Sequence, residues 1–406
     1  MSMATAVRNL RHPTSVIRNV TAFALVALSL SLAPAEDFAP AWEKIETSIR
    51  QRYYARTARK SDMDRLLAKY GPIVKAAGDR KAFDGAMDSM IAEFRDSHFD
   101  FLTPEEQGYY LMDNLLRQDK AEEMPNVGAW FRLDGDGYTV QMVLEDGAAA
   151  KAGLRAGDVI TSLDGVPFSP VESLKSRVGK TVPLVYRRRG AETTTTIAVS
   201  TARPLKMFLE ASRASTRVID QGGRKFGYFH LWTQASDDFR NALSNAIYGR
   251  LKDTDAFILD LRGGFGGRPE GFADPFFRPD MKLDWKTTPT AGYSQNFGYS
   301  RPLVVLIDKG SRSAKEILSF ILQKSKRATL IGETTAGNVL GTSPYRINDW
   351  SFLEIPMVDV AIEGVRLEGK GVAPDIAVSQ SPSADGKDAT VEKAVEVLLK
   401  KVGKKD

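Results

Sequence analysis

Two stretches in the second half of the chain constrain its fold more than any others. Ala256-Phe257-Ile258-Leu259-Asp260-Leu261 and Arg301-Pro302-Leu303-Val304-Val305-Leu306-Ile307 are short apolar runs, each followed by a turn rich in glycine or serine. Runs of that length bounded by turn formers read as buried β-strands. The second is followed by Lys309-Gly310-Ser311-Arg312-Ser313-Ala314-Lys315-Glu316, and Ser313 falls where the loop hands over to a helix predicted over 314–325. A serine on a strand-to-helix turn presents its hydroxyl beside helix-start N–H groups. That arrangement suits a nucleophile facing a developing oxyanion.

The remaining elements follow from periodicity. From Phe38 to about Glu106 apolar residues recur at helical spacing: Trp42, Ile45, Ile49, Tyr53, then Phe83, Met87, Met90, Ile91, Phe94. From about Arg203 the pattern is α/β, with a strand at Phe226–Leu231, a helix at Asp237–Arg250, a strand at Ala328–Ile331 and a closing helix at Val391–Val402. Between these regions, short β-like runs alternate with glycine turns, and Asp146–Ile160 contains Ala152-Gly153-Leu154-Arg155-Ala156-Gly157-Asp158-Val159-Ile160. That segment resembles the PDZ signature, a short helix followed by a strand. A PDZ module leaves a sheet edge open for an extended peptide, and Val127-Gly128-Ala129-Trp130-Phe131 is expected to be its carboxylate-binding loop, or Trp130 and Phe131 simply to pack the domain.

Charge and cysteine content narrow the function. The formal charge is +5, but Arg8, Arg11 and Arg18 lie in the first 35 residues, where no acid occurs; without them 53 basic residues face 51 acidic ones. Nucleic acid is not an expected partner. A basic start, the apolar run Val20–Leu32 and Ala33-Pro34-Ala35 read as a cleaved secretory signal, which places the protein outside the cell or in a bacterial periplasm. The absence of cysteine excludes disulfides, thiolate metal sites and a cysteine nucleophile.

The serine unit resembles the nucleophile region of the S41 serine peptidases, the tail-specific and tricorn-like proteases, and the likeness runs from about Trp42 to Val378. It implies a crotonase- or ClpP-like core with the PDZ domain inserted, and so the division 1–35 signal, 36–120 helical segment, 121–202 PDZ domain, 203–380 protease core, 381–406 linker and final helix. In the tail-specific branch a lysine base lies in a turn that here reads Thr334-Thr335-Ala336-Gly337-Asn338, and Asn338 cannot accept a proton. Asp96-Ser97-His98 is similar to the histidine segment of the tricorn-like branch. The resemblance therefore implies His98 as general base, Ser97 as the relaying hydroxyl and Glu368, in Leu367-Glu368-Gly369-Lys370-Gly371-Val372, as the supporting acid, with Glu363 as a competitor. Asp260–Gly267 resembles the oxyanion loop, with Gly264 where asparagine is commoner, and the N–H groups of Gly266 and Ala314 are expected to form the hole. His230 is expected in the core, and Lys309 and Lys315 on the surface. No metal or organic cofactor is implied.

These residues describe a peptidase acting on protein or peptide substrates through an acyl-enzyme on Ser313. A non-catalytic peptide binder on the same fold, or a PDZ adaptor, is the rival reading, and a homo-oligomer is left open.

Overall fold

The computed structural model describes residues 36–135, 137–278, 281–288, 290–379 and 387–403. The expected signal and most of the expected linker lie outside them. Among the described residues no helix is long and apolar enough to cross a membrane, and no cluster of His, Asp and Glu could hold a metal.

The two constraining runs form the centre of a six-stranded sheet. Its order is Arg217–Gln221, Arg224–His230, Ala256–Asp260, Leu303–Ile307, Thr329–Gly332, Ile376–Ala377; the first pair is antiparallel and the rest are parallel. Alternate side chains of each strand enter separate cores. Leu303, Val305 and Ile307 join Phe257 and Leu259 beneath the helices Pro204–Ala214, Asp237–Asn245 and Ala314–Lys324. Val304, Leu306 and Ile258 meet Ala394, Val395 and Leu398 of the helix Ala389–Val402. The loops after the parallel strands gather at their carboxyl ends, where open α/β sheets place their sites.

The N-terminal segment is a separate layer. Helices α1 (Ala39–Arg52), α2 (Lys60–Lys75) and α3 (Arg80–Phe94) enclose an aromatic core with Phe101, Trp350 and Leu353. The strand Asp100–Leu102 pairs antiparallel with Phe352–Val358, matching Asp100 to Glu354 and Phe101 to Leu353. This pairing ties the segment that carries His98 to a strand roughly 250 residues later. Helix α4 (Gln107–Arg117), which the periodicity did not predict, follows.

The PDZ domain is inserted at this point. Met124–Asn126 and Ser200–Ala202 pair where the chain enters and leaves it. Between them runs the sheet Ala129–Asp134, Gly137–Val143, Val159–Leu163, Thr181–Arg188, Ala191–Ala198, with its own core around Phe131, Leu163 and Leu184.

Phe101 is 2% exposed and packs on Phe83 and Trp350, with ring centroids 5.4 and 6.2 Å away. Phe101→Ala should destabilise the helical layer by about 3–5 kcal/mol, measured by urea unfolding followed through tryptophan fluorescence. A loss below about 1 kcal/mol would show that the layer is not held by this anchor.

Candidate active site

Ser313 lies at the carboxyl end of the central strand and immediately before the helix Ala314–Lys324. Its backbone has φ +58°, a conformation that costs a β-carbon energy and persists only where the surroundings enforce it. Here they do. The Ser313 N–H donates to the Asn338 carbonyl at 2.7 Å and to Glu316 Oε2 at 3.1 Å. The buried Glu316 carboxylate also accepts from Thr335 Oγ1 (2.6 Å), Gly337 N (2.7 Å) and Asn338 N (2.9 Å). Burial raises its pKa against these four donors.

The glycine loop closes over the same corner. A β-carbon at Gly266 would lie 2.3 Å from Ser313 Cβ, 2.7 Å from its Oγ and 2.8 Å from the Ala314 nitrogen. Only glycine admits that approach, so Gly266, Ser313 and the Ala314 N–H meet at one point. The loop is tied to the nucleophile turn by Asp308, whose Oδ1 accepts from Gly263 N and Gly310 N, both at 2.9 Å. Ser311 Oγ adds a hydrogen bond to the Leu261 carbonyl at 2.8 Å.

His98 enters the same cleft from the helical layer. Asp96 fixes its loop by accepting from Tyr53 Oη (2.5 Å), Tyr54 Oη (2.9 Å) and Arg59 Nη1 (2.8 Å). Ser97 Oγ lies 3.0 Å from His98 Nδ1. His98, Arg312, Ser313 and Gly266 all line one cleft of about 1360 Å³. Burial, and then the nearby Arg312 charge, push the His98 imidazole down to about 3. The ring is therefore neutral throughout the neutral range.

The expected acid is placed differently. Glu368 Oε2 accepts from Val339 N at 2.6 Å and Leu340 N at 3.1 Å, and the residue does not line the cleft. Ser97 has no hydrogen-bond partner besides His98 among the described residues. Glu363 is exposed and pairs with Lys324 Nζ at 2.5 Å. Lys309 is a surface residue, its side chain 82% exposed.

Lys315 is not on the surface, contrary to expectation. It is 0% exposed, and its Nζ donates to the Gly263 carbonyl at 2.8 Å, beneath the glycine loop. Ser313 is a cap with non-helical backbone, so counting two helical steps from it misplaces the lysine; a helical side chain leans back towards the N-terminus. Burial brings Lys315 down to about 7 against the pull of Asp308, Asp260 and Glu145. The unpredicted partners of the loop come from the PDZ domain. Gly264 N–H points at Met142 Sδ at 3.0 Å. Glu145 binds His230 Nδ1 at 3.0 Å and Trp232 Nε1 at 2.5 Å, while His230 Nε2 lies 2.9 Å from the Arg262 carbonyl. His230 is buried, as expected; Asp260 and Glu145 overcome the cost of burial and raise its pKa.

The proposed carboxylate loop of the PDZ domain is tightly built. Gly128 has φ +72°, and a β-carbon there would lie 2.7 Å from Gly147 Cα. Phe131 packs on Phe168 (4.8 Å), and Trp130 on Phe265 of the glycine loop (5.1 Å) and on Phe208 (5.6 Å). The strand Ala129–Asp134 is one edge of the sheet, with Ala191–Ala198 the other. Two of its backbone groups are already taken: Gln107 Nε2 donates to the Ala129 carbonyl at 3.0 Å, and Phe131 N–H donates to Gln107 Oε1 at 2.9 Å.

Comparison with known proteins places this geometry. Residues 225–378 match the model of peptidase family S41, and residues 125–199 that of the PDZ domain. The chain is 24% identical over 314 residues to a probable CtpA-like serine protease of Staphylococcus haemolyticus, covering 74% of this chain and 60% of that protein. It is 25% identical over 366 residues to a carboxy-terminal-processing protease of Bartonella bacilliformis, covering 83% and 78%. The structure of the photosystem II D1 C-terminal processing protease shares the fold at a TM-score of 0.55 and 22% identity, over 89% of this chain and 97% of that one.

The His98 environment is testable by NMR. Its ring proton shifts should stay those of neutral imidazole to below pH 5, and Arg312→Gln should move the titration upwards, towards the ordinary value near 6.5. An inflection near 6.5 that ignores Arg312 would contradict the placement.

Proposed function

We propose that this chain, which belongs to the S41 family of serine peptidases, hydrolyses peptide bonds through an acyl-enzyme on Ser313, with His98 as the general base. The observation that carries this reading is that Ser313, His98 and Gly266 line one cleft, with the Ala314 nitrogen beside Gly266. His98, uncharged at neutral pH, takes the Ser313 proton as the hydroxyl attacks the substrate carbonyl. The tetrahedral oxyanion receives the N–H groups of Gly266 and Ala314, the latter at a helix N-terminus whose dipole favours negative charge. His98 then returns its proton to the leaving amine and activates water for deacylation. Ser97 steadies the Nδ1 side of the ring. Glu368 would complete the relay through Ser97 only if its carboxylate left the Val339 and Leu340 amides. Asn338 contributes its carbonyl to the Ser313 N–H and holds no proton-transfer role.

The PDZ domain docks an extended substrate or its C-terminus along the edge Ala129–Asp134. An incoming strand must take the Ala129 carbonyl and Phe131 N–H that Gln107 now occupies. Gln107→Ala should therefore strengthen binding of a library-selected peptide with a free C-terminus by about tenfold, since the side chain no longer competes for these groups. Isothermal calorimetry that shows equal or weaker binding would contradict docking at this edge.

A fluorophosphonate probe tests the catalytic reading. It should label the folded protein on one residue, and Ser313→Ala should abolish the labelling. His98→Ala should lower kcat for a cleaved peptide by about 10⁴-fold or more. Labelling that survives Ser313→Ala, or folded protein that does not label, would favour the peptide-binder reading.

A further inference from the structure

One wall of the cleft is acidic beyond anything the proposed reaction uses. Asp84 and Asp88 on α3, Asp100, Glu105, Glu106 and Glu354 all face it. They form a connected series that starts beside the nucleophile. Asp100 and Glu354 are paired in the sheet and both feel the charge of Arg312, the residue before Ser313; Asp100 acts on Glu106 and Asp88, and Asp88 and Glu105 act on Asp84. Arg312 is the cation that acts on Asp100 and Glu354, and no ion pair joins it to a carboxylate among the described residues.

A solvated acidic face would have its carboxylates in water, and here the innermost one is not. Glu354 is 6% exposed, yet it stands on the cleft wall. Among the described residues, the one neighbouring donor to its carboxylate is the Thr342 hydroxyl, which also gives its proton to the Ile355 carbonyl at 2.9 Å. Further out, Asp84 Oδ1 is buried without a partner. A buried carboxylate without a donor costs several kcal/mol in charged form. Enclosure first, and mutual repulsion second, raise Glu354 and Glu106 to about 8 and Asp84 to about 7. A cation laid along this wall would supply the charge that Glu354 and the unpartnered Asp84 oxygen lack.

We propose that this wall is a substrate subsite selecting a lysine or arginine side chain next to the scissile bond, with Glu354 and Asp100 as its inner carboxylates and Asp84 at its outer end. The inference rests on the cleft being the peptidase site, and it names the substrate class that site prefers. The cation draws the carboxyls into their ionised form, so selectivity should rise with pH from about 6 to 8.5, while lysine remains charged. Arg312 and neutral His98 set the inner limit of the subsite, since a second cation could not approach Arg312 closely.

The test uses the full chain and two fluorescence-quenched peptides that differ only in lysine or norleucine at the selected position. The lysine peptide should have a kcat/KM at least about tenfold higher, and that ratio should collapse in Asp100→Asn and in Glu354→Gln. Asp84→Asn, at the cleft rim, should lower the ratio without risk to the fold. Binding of the same pair to Ser313→Ala protein, by fluorescence anisotropy, separates the subsite from the chemistry. Tighter binding of the lysine peptide without turnover in the native protein would uphold the subsite and sink the peptidase reading. Equal kcat/KM and equal binding for the two peptides, or a ratio that ignores all three substitutions, would overturn the subsite.

Discussion

The buried carboxylate of Glu316 is the interaction on which the site's geometry depends. It stands three residues into the helix that follows the nucleophile, and gathers four donors from two turns that are far apart in sequence. A capping box of this kind fixes how a chain enters a helix. Here it also pulls the turn Thr334–Asn338 against Ser313, so that the Asn338 carbonyl can take the Ser313 N–H. The left-handed backbone of Ser313 follows from that double hold. With the serine so fixed, Gly266 can reach contact distance, and the loop and helix N–H groups face one point.

The other half of the site depends on long-range pairing. His98 belongs to a helical layer with its own aromatic core, and three residues of strand join it to the strand that carries Glu354. The PDZ insertion is anchored at the same place. Its Met142, Glu145 and Trp130 support the glycine loop from outside, while Lys315 supports it from below. The PDZ domain is thus built into the wall of the loop that would hold the oxyanion.

The sequence disclosed what is local. The central strands were legible because both faces are apolar, the nucleophile corner because a serine stands where an apolar strand run hands over to a helix, and the PDZ domain because its turns need glycine at fixed offsets. Helix α4 was not legible, since its buried face includes Gln107, Asp113 and Asn114, whose partners are the Ala129 carbonyl, Arg346 and the Leu205 N–H. Lys315 was hidden for a similar reason: a lysine enters the interior only where a distant carbonyl awaits it. Glu368 shows the limit of a motif, which marks a segment but leaves open whether a carboxylate serves a hydroxyl or two backbone amides nearby. The acidic wall draws on α3, the strand after His98 and a strand 250 residues later, and only the folded chain assembles it.

The most direct test is a crystal structure of the protein after inactivation by a fluorophosphonate. The phosphorus should be bonded to Ser313 Oγ, with its phosphoryl oxygen within hydrogen-bond distance of the Gly266 and Ala314 nitrogens and the His98 ring within reach of the adduct. An adduct on another residue, or a phosphoryl oxygen turned to solvent with His98 remote from it, would contradict the account.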